Sequence, residues 1–376
     1  MTDAIFTNAN LVLPNEVLLG TLIVRDGVIA EIQPGRSPNG TDLDGDYLIP
    51  GIVDVHTDNL ERQVQPRAAA RWPSRSAMLT HDAQCAAAGV TTIFDSLCLG
   101  DLGFDTERIT TFLNGVADLE ALVPTGLLKG EHFLHLRCEL PASDMIQLVD
   151  PVADHPLVQM FSLMDHSPGV GQYANLDRYR AMRVKGGMDP AFVEKRIGTL
   201  LDQRGMYRDP NRKWLLERIA GRHLPIASHD DRTEEEIEEN YADGIRISEF
   251  PVSMIAAQAA TAIGMEVIAG APNIVRGGSH SGNVSAADLV KSGVVDAFAS
   301  DYVPASLLEA AFICAADHAI TLPAAIALIT DRPARMGHLP DRGRLEPGLR
   351  ADLVRVRLHE RHPIVRAVWR QGERVS

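Results

Sequence analysis

Cysteine is scarce in this chain: four residues in 376 (Cys85, Cys98, Cys138 and Cys314), far apart, in apolar contexts and with no CxxC pair. That spacing excludes a disulfide framework and marks all four as reduced core residues. Positive charge is short as well, since 36 Lys and Arg stand against 50 Asp and Glu for a formal charge of −14. A chain built to bind nucleic acid needs the opposite balance to attract phosphates. A small anionic substrate is still compatible, because metal ions and a few arginines can reverse the field inside one pocket. Long apolar runs are missing too: none reaches the roughly 20 residues that span a bilayer. The opening MTDAIFTNANLVLP lacks the basic segment, apolar stretch and small-residue cleavage site of a secretion signal. The expectation is a cytoplasmic protein with neither nucleic acid nor membrane as a partner.

What is present fits a large folded protein. Hydrophobic residues make up 45% and charged residues 23%, the balance of a chain with a sizeable core, long enough for one barrel plus a minor domain. Residues 1 to about 50 alternate apolar runs (LVLP, TLIVRDGVIAEI) with turn signals at Asp26-Gly27, Pro34-Gly35 and Asp44-Gly45, the period-two signature of short strands. The closing LEPGLRADLVRVRLHERHPIVRAVWRQGERV repeats that pattern. One small β-sandwich domain built from residues 1–50 and 345–376 accommodates both ends, with 51–344 inserted as a separate domain.

The centre repeats a short apolar strand followed by a helical pattern. Candidate strands are GIVDVH, VTTIFDS, HFLHLRCE, LVQMFSLMDH, LPIASHD, GIRISEF, MEVIAGAP and VVDAFASD, with helix signals such as HDAQCAAAG, TEEEIEEN and VSMIAAQAATAIG between them. Eight strands alternating with helices over about 290 residues predict an α/β fold, a (β/α)8 TIM barrel whose chemistry collects at the C-terminal strand ends. Residues 167 to 222 break the rhythm and are rich in Arg, Lys, Tyr and Gly (QYANLDRYRAMRVKGG). Excursions of that length on the functional face of a barrel serve as lids or substrate-binding elements.

Five of the eight candidate strands finish on or just before His, Asp or Glu. GIVDVH runs into Thr57-Asp58, so His56 and Asp58 stand two apart and project to one side of extended backbone, as two ligands of one metal would. HFLHLRCE ends at Glu139, MFSLMDH at His166, PIASHD at His229 and VVDAFASD at Asp301. Imidazole nitrogens with carboxylate oxygens suit Zn, Mn or Fe, and the expected cofactor is a pair of divalent ions. Two such ions share a bridging carboxylate and a water that ionises near neutral pH. Glu139 is the bridging candidate, and Asp301 the candidate to take a proton from the nucleophile and pass it to the leaving group. A single strand-end His or Asp reads more plainly as a cap or a satisfied polar group. It is the joint occurrence that favours metal over buried hydrogen bonding.

PGIVDVHTD after an N-terminal β-segment resembles the strand-one signature of the amidohydrolase superfamily, and the closing EPGLRADLV resembles its C-terminal β-domain. The superfamily's usual His-x-His is here His56-Thr57-Asp58, and no strand-end lysine is present to form a carbamate bridge. Both departures argue against dihydroorotase-like or urease-like chemistry. The longer set HTDNLE, HLRCE, MDHSPGVGQY, ASHDD, EFPVS, GAPNIVRGGSHSGN and SDYVPASLL resembles the diphosphatase branch of the bacterial carbon–phosphorus lyase pathway. That resemblance implies a hydrolase of phosphorus-containing anhydrides, cleaving α-D-ribose 1-methylphosphonate 5-triphosphate to the 5-phosphate and pyrophosphate in phosphonate degradation. One feature departs from the superfamily: His166 and His229 fall on the fourth and fifth candidate strands rather than the fifth and sixth, as though a strand had been missed.

A triphosphate substrate makes sense of Asp58, which gives a more oxygen-rich site than an imidazole would. Cationic side chains should hold the outer phosphates. Arg137 lies two residues before Glu139 on the same strand face, and Arg183, Lys185, Arg232, Arg276 and His280 lie in predicted mouth loops. Gly278, in the run Arg276–Asn283, can offer a backbone N–H. The plainer readings are that Gly277-Gly278 only turns the chain and that Arg183 and Lys185 form a solvated helix face. Glu234-Glu235-Glu236 reads as helix surface capped by Thr233 or Asp231, and His81 as structural. Asp230 either orients His229 or starts the next loop. Two other functions stand beside the diphosphatase. An amidohydrolase acting on a C–N bond, a deaminase or cyclic amide hydrolase, is disfavoured by His-x-Asp. A barrel without catalysis, serving in binding or assembly, is disfavoured by the presence of all six candidate ligands. The expected partner is a small triphosphorylated sugar phosphonate, and assembly into a homo-oligomer is left open.

Overall fold

The computed structural model describes residues 3–67, 70–100, 102, 107–278, 283–318 and 320–376. The chain opens with strands β1 (Ala4–Val12), β2 (Val17–Arg25), β3 (Val28–Pro34), β4 (Thr41–Asp42) and β5 (Tyr47–Pro50). Eight strands then alternate with helices: β6 (Ile52–Thr57), β7 (Val90–Leu99), β8 (Glu131–Glu139), β9 (Val158–Met164), β10 (Ile226–His229), β11 (Ile247–Glu249), β12 (Glu266–Gly270) and β13 (Ala297–Ala299). The chain ends with β14 (Leu353–His359), β15 (His362–Arg370) and β16 (Glu373–Arg374).

Strands β6 to β13 form one sheet in chain order, every neighbouring pair parallel. Its two edges meet where Thr57 bridges Asp301 in parallel. The Asp301 N–H donates to the His56 carbonyl at 3.0 Å, and the Asp58 N–H donates to the Asp301 carbonyl at 2.8 Å. The sheet therefore closes into the expected barrel, and each of the eight candidate strands is found. His166 and His229 do follow the fourth and fifth strands, so no strand was missed. Strands walled by helices outside and by each other inside read as continuous apolar runs, and β7 is buried at all ten positions. Val53, Phe94, Met160, Ala227, Ile247 and Ile268, from six strands, share one buried cluster that fills the barrel.

The two ends of the chain build the other sheet, ordered β16-β15-β14-β5-β1-β2-β3 with β4 beside β1. In hydrogen-bond terms the expected sandwich is one continuous mixed sheet, stitched where β5 pairs parallel with β1 and antiparallel with β14. Phe6, Leu22, Leu48, Leu353 and Trp369 form its own core, with the Phe6 and Trp369 rings edge-on at 4.7 Å.

The excursion at 167–222 contains a turn at Gly171–Tyr173, a helix at Leu176–Lys185 and a helix at Pro190–Ile219. The second helix buries Val193, Leu200, Leu215 and Ile219, and the Asn211 amide donates to the Leu140 and Ala142 carbonyls at 2.8 Å. It is barrel wall, so only the first half of the excursion faces the mouth. Thr233, not Asp231, caps the helix Glu234–Ala242, with Glu236 returning the bond in a capping box. Asp231 is buried and accepts from Ser228, Ser248 and Asn240. No helix among the described residues is long and apolar enough to cross a membrane.

His81 belongs to a buried chain of side chains near the site. Its Nε2 lies 2.7 Å from Asp95 Oδ1, while Asp95 Oδ2 lies 2.7 Å from His132 Nδ1. The other His132 nitrogen faces Asp82 at 3.3 Å, and Asp82 accepts the Lys129 and Gly130 N–H groups. Asn59 donates to His81 Nδ1 at 3.0 Å. Every nitrogen and oxygen of the chain is thus partnered within the protein, which supports the structural reading of His81. Burial opposes charge on His132, but Asp95 and Asp82 outweigh it and raise its pKa from 6.5 to about 9. Burial likewise opposes charge on Asp95, yet His132 and His81 lower it from 3.8 to about 2. The stability that protonated His132 contributes is therefore complete below 6.5 and lost as pH rises through about 9. That from ionised Asp95 is complete above 3.8 and lost as pH falls through about 2. Urea denaturation should show the protein weakening between about pH 6.5 and about pH 9, and the variant His132→Asn changing less over that interval. Equal pH slopes for the two proteins would contradict this assignment.

Candidate active site

The C-terminal ends of β6 to β13 surround a cavity of about 550 Å³. All six expected ligands, His56, Asp58, Glu139, His166, His229 and Asp301, line it, as does Arg137. His56 lies near the end of β6, while Asp58 has left the strand and stands at the N-cap of the helix Asn59–Val64. Arg137 and Glu139, two apart on β8, both reach the cavity, as strand alternation requires. The Arg137 guanidinium is buried 3.4 Å from Asp58 Oδ2.

Carboxylates grip the imidazoles from behind. Glu139 accepts the His166 N–H at 2.8 Å on one oxygen and faces His166 Nδ1 at 2.6 Å with the other. Both oxygens of the expected bridging group are therefore on one residue. The carboxylate that reaches two imidazoles is Glu249, at the end of β11: one oxygen is 2.7 Å from His56 Nδ1, the other 2.8 Å from His229 Nδ1. Glu249 is fully buried. Burial opposes its charge, but His56 and His135 outweigh that and hold its carboxyl well below the usual range. Burial is the main cause of the lowered His56 pKa. For His229 burial is outweighed by Asp230 and Glu249, and its pKa is raised. Glu249 closes the segment GIRISEF just as Glu139 closes HFLHLRCE, and that strand-end carboxylate is the signal in the sequence that marks it.

The donor set fits divalent cations. His56, His229 and Glu249 bring ligand atoms within 4.8 Å of one another, and so do His166, His229 and Asp230. Asp230 Oδ2 is buried with no hydrogen-bond partner among the described residues. Burial, and then the nearby Asp58, push Asp301 up to about 8, against the opposing influence of Arg137 and His229. A cation held closer to that carboxylate would favour its charged form further.

Cationic groups stand at the mouth on two sides. Arg108, after β7, lies 3.3 Å from Glu61 and lines the cavity. Arg183 lines it too, its guanidinium 5.0 Å from the Tyr179 ring centre and 5.9 Å from that of Tyr173. Arg276 and Gly278, after β12, line the other side. Strands β8 and β12 are four apart in a ring of eight and so face each other across the barrel. Lys185 and Arg232 are exposed and do not line the cavity; Lys185 lies in the last turn of its helix, pointing to solvent as the plainer reading had it. His280 lies outside the described residues.

An eight-stranded parallel barrel with imidazoles and carboxylates gathered at its strand ends defines the class of amidohydrolase-type hydrolases, and a model of the amidohydrolase family matches residues 233–376. The chain is 41% identical, over 99% of its own length and 100% of the other's, to the alpha-D-ribose 1-methylphosphonate 5-triphosphate diphosphatase of Escherichia coli (strain K12). The chain belongs to the family of that diphosphatase, within the amidohydrolases. Similar solved structures include N-acetyl-D-glucosamine-6-phosphate deacetylase from Mycobacterium smegmatis, with a TM-score of 0.65 at 16% identity and all of both chains covered. Dihydropyrimidinase from Brevibacillus agri gives 0.66 at 12% identity, covering 99% of this chain and 95% of the other. 5-Methylcytosine deaminase from Klebsiella pneumoniae gives 0.64 at 15%, covering 99% and 98%. At such identities the likeness is one of fold.

Replacing Glu249 by Gln removes the charge that holds two imidazoles. Calorimetric titration with Zn²⁺ should show affinity falling about 10- to 100-fold, the usual cost of losing a carboxylate behind a ligand histidine. Wild-type affinity in Glu249→Gln would contradict this role.

Proposed function

We propose that the chain is a metal-dependent hydrolase that cleaves α-D-ribose 1-methylphosphonate 5-triphosphate to the 5-phosphate and pyrophosphate, acting in the cytoplasm in phosphonate degradation. The observation that carries this reading is a cluster of imidazoles and carboxylates lying between two cationic walls, in a chain 41% identical to a diphosphatase of that substrate. His56, Asp58, His166, His229 and Asp301 form the metal-holding set for two ions, Zn, Mn or Fe, and Glu139 serves it through His166, which takes both its oxygens. When bound, the ions polarise phosphoryl oxygens and make water more acidic.

The remaining work falls to the chain's own side chains. Glu139 and Glu249 fix the imidazoles so that no reorganisation is needed during reaction. A water oxygen forms a bond to the phosphorus nearest the ribose, and the bond from that phosphorus to the bridging oxygen of pyrophosphate breaks. Asp301 accepts the proton of the attacking water and delivers it towards the departing pyrophosphate. Arg137, with Arg183 and Arg108, supports the outer phosphates by charge-assisted hydrogen bonds. Arg276 stands across the barrel, where the ribose phosphonate end is received; the Gly278 N–H is spent on the Asn273 carbonyl at 3.0 Å, so that glycine turns the chain instead. A substrate anionic at both ends suits a cavity cationic at both ends.

Reaction in ¹⁸O-labelled water tests the bond. The label should enter the sugar 5-phosphate and not pyrophosphate; label in pyrophosphate, or turnover of cyclic amides alone, would overturn the reading. Asp301→Asn should lower turnover by about 10²- to 10⁴-fold, the range of general acid–base assistance. Unchanged turnover would remove Asp301 from the mechanism.

A further inference from the structure

We infer that Asp230 is a metal ligand, completing with His166 and His229 one site of the pair. The inference rests on the metal-dependent reading above but not on the identity of the substrate. Asp230 directly follows β10 and stands in the left-handed region, φ +59°, which Asp tolerates better than most side chains but adopts only where its surroundings demand it. Its N–H is tied to the Glu249 carbonyl at 3.0 Å. From the other side Gly171 closes over it: a Cβ there would stand 2.9 Å from Asp230 Cβ. The carboxylate is thus aimed by backbone and packing together.

It is aimed at two nitrogens. Asp230 Oδ2 is 3.9 Å from His166 Nε2, and Oδ1 is 3.8 Å from His229 Nε2. Both distances are too long for hydrogen bonds. They are the separations of ligands sharing an ion, since donors about 2.1 Å from one metal stand roughly 3 to 4.2 Å apart. The Nδ1 atoms of both rings already face Glu139 and Glu249, which leaves each Nε2 turned towards Asp230. Such a carboxylate behind the ring and a free nitrogen in front is the arrangement of metal-ligating histidines. Asp230 Oδ2, on a side chain 8% exposed, is the buried oxygen without a partner. A structural aspartate in this place would be expected to spend that oxygen on a donor.

The test is metal binding by the stripped full-length chain. Wild type, Asp230→Asn and Asp230→Ala are freed of metal with chelator, and Zn²⁺ and Mn²⁺ are titrated in by calorimetry. Asn keeps the size and the tolerance of positive φ, so its metal-free melting temperature should match wild type, separating ligand loss from misfolding. Both variants are expected to lose one equivalent of Zn²⁺ or to bind it at least about tenfold more weakly. Wild-type stoichiometry and affinity in Asp230→Asn would overturn the inference. Failure to cleave the triphosphate, with the lost equivalent still observed, would count against the proposed substrate and leave this ligand standing.

Discussion

The structure depends on a crowding of ionisable groups in a dry place. Five barrel strands end in, or just before, an imidazole, guanidinium or carboxylate that enters the same cavity, and most of these side chains are nearly inaccessible to water. Burial alone disfavours charge on every one of them. Two arrangements relieve it. Where an imidazole meets a carboxylate, as at Glu249 with His56 and His229, each stabilises the other's polarity. Where two acids stand close, as Asp58 and Asp301 do, burial and the neighbouring charge raise Asp301 to about 8 although Arg137 opposes them. Divalent ions would relieve the second group as the imidazoles relieve the first, and the same crowding that is costly in their absence would become the affinity that holds them.

Closure of the barrel is made through the site itself. The first and last strands are joined by backbone hydrogen bonds at His56, Asp58 and Asp301, the residues whose side chains enter the cavity. Scaffold and chemistry therefore share atoms at this seam, and a shift in the register of β6 against β13 would displace three functional groups at once. Bulges in the β6–β7 ladder, on either side of Val53 and Asp54, let His56 and Asp58 reach the cavity although Val53 and Val55 pack into the barrel filling.

Strand ends were legible in the sequence because a parallel barrel strand is short, apolar and followed by polar residues, so all eight segments could be delimited. That the six expected ligands share one cavity follows from the same rule, since the C-terminal ends of all strands point one way. Glu249 is harder to read because, although His229 is 20 residues away on the neighbouring strand, His56 is 193 away, and only the closed ring brings that imidazole to it. Lys185 was misplaced because adjacent positions on a helix face different directions: Arg183 turns inwards to Tyr173 and Tyr179, while two residues on the chain faces solvent. The excursion could not be divided by pattern, since a lid helix and a barrel-wall helix carry similar polar stretches. The buried chain that His81 joins through Asp95 leaves no mark in residue spacing, because its members come from separate elements.

Three residues at the strand ends, Asp230, Phe250 and Asp301, hold positive φ without being glycine. Each such residue costs of the order of 1–3 kcal/mol, and a bulky one like Phe250 is the least expected. Their position explains why the strain persists. Asp230, directly after β10, and Asp301, two residues after β13, turn carboxylates into the cavity, which a regular extended backbone would direct elsewhere. Phe250 follows Glu249, and its ring packs edge-on against His56 at 5.0 Å and His229 at 5.4 Å. The strained turn therefore lays an apolar wall against the same two imidazoles whose nitrogens Glu249 holds, excluding water from those hydrogen bonds and strengthening them. Strain in the backbone is here converted into fixed side-chain geometry, which is the property a site needs if its ligands are to be in place before substrate arrives.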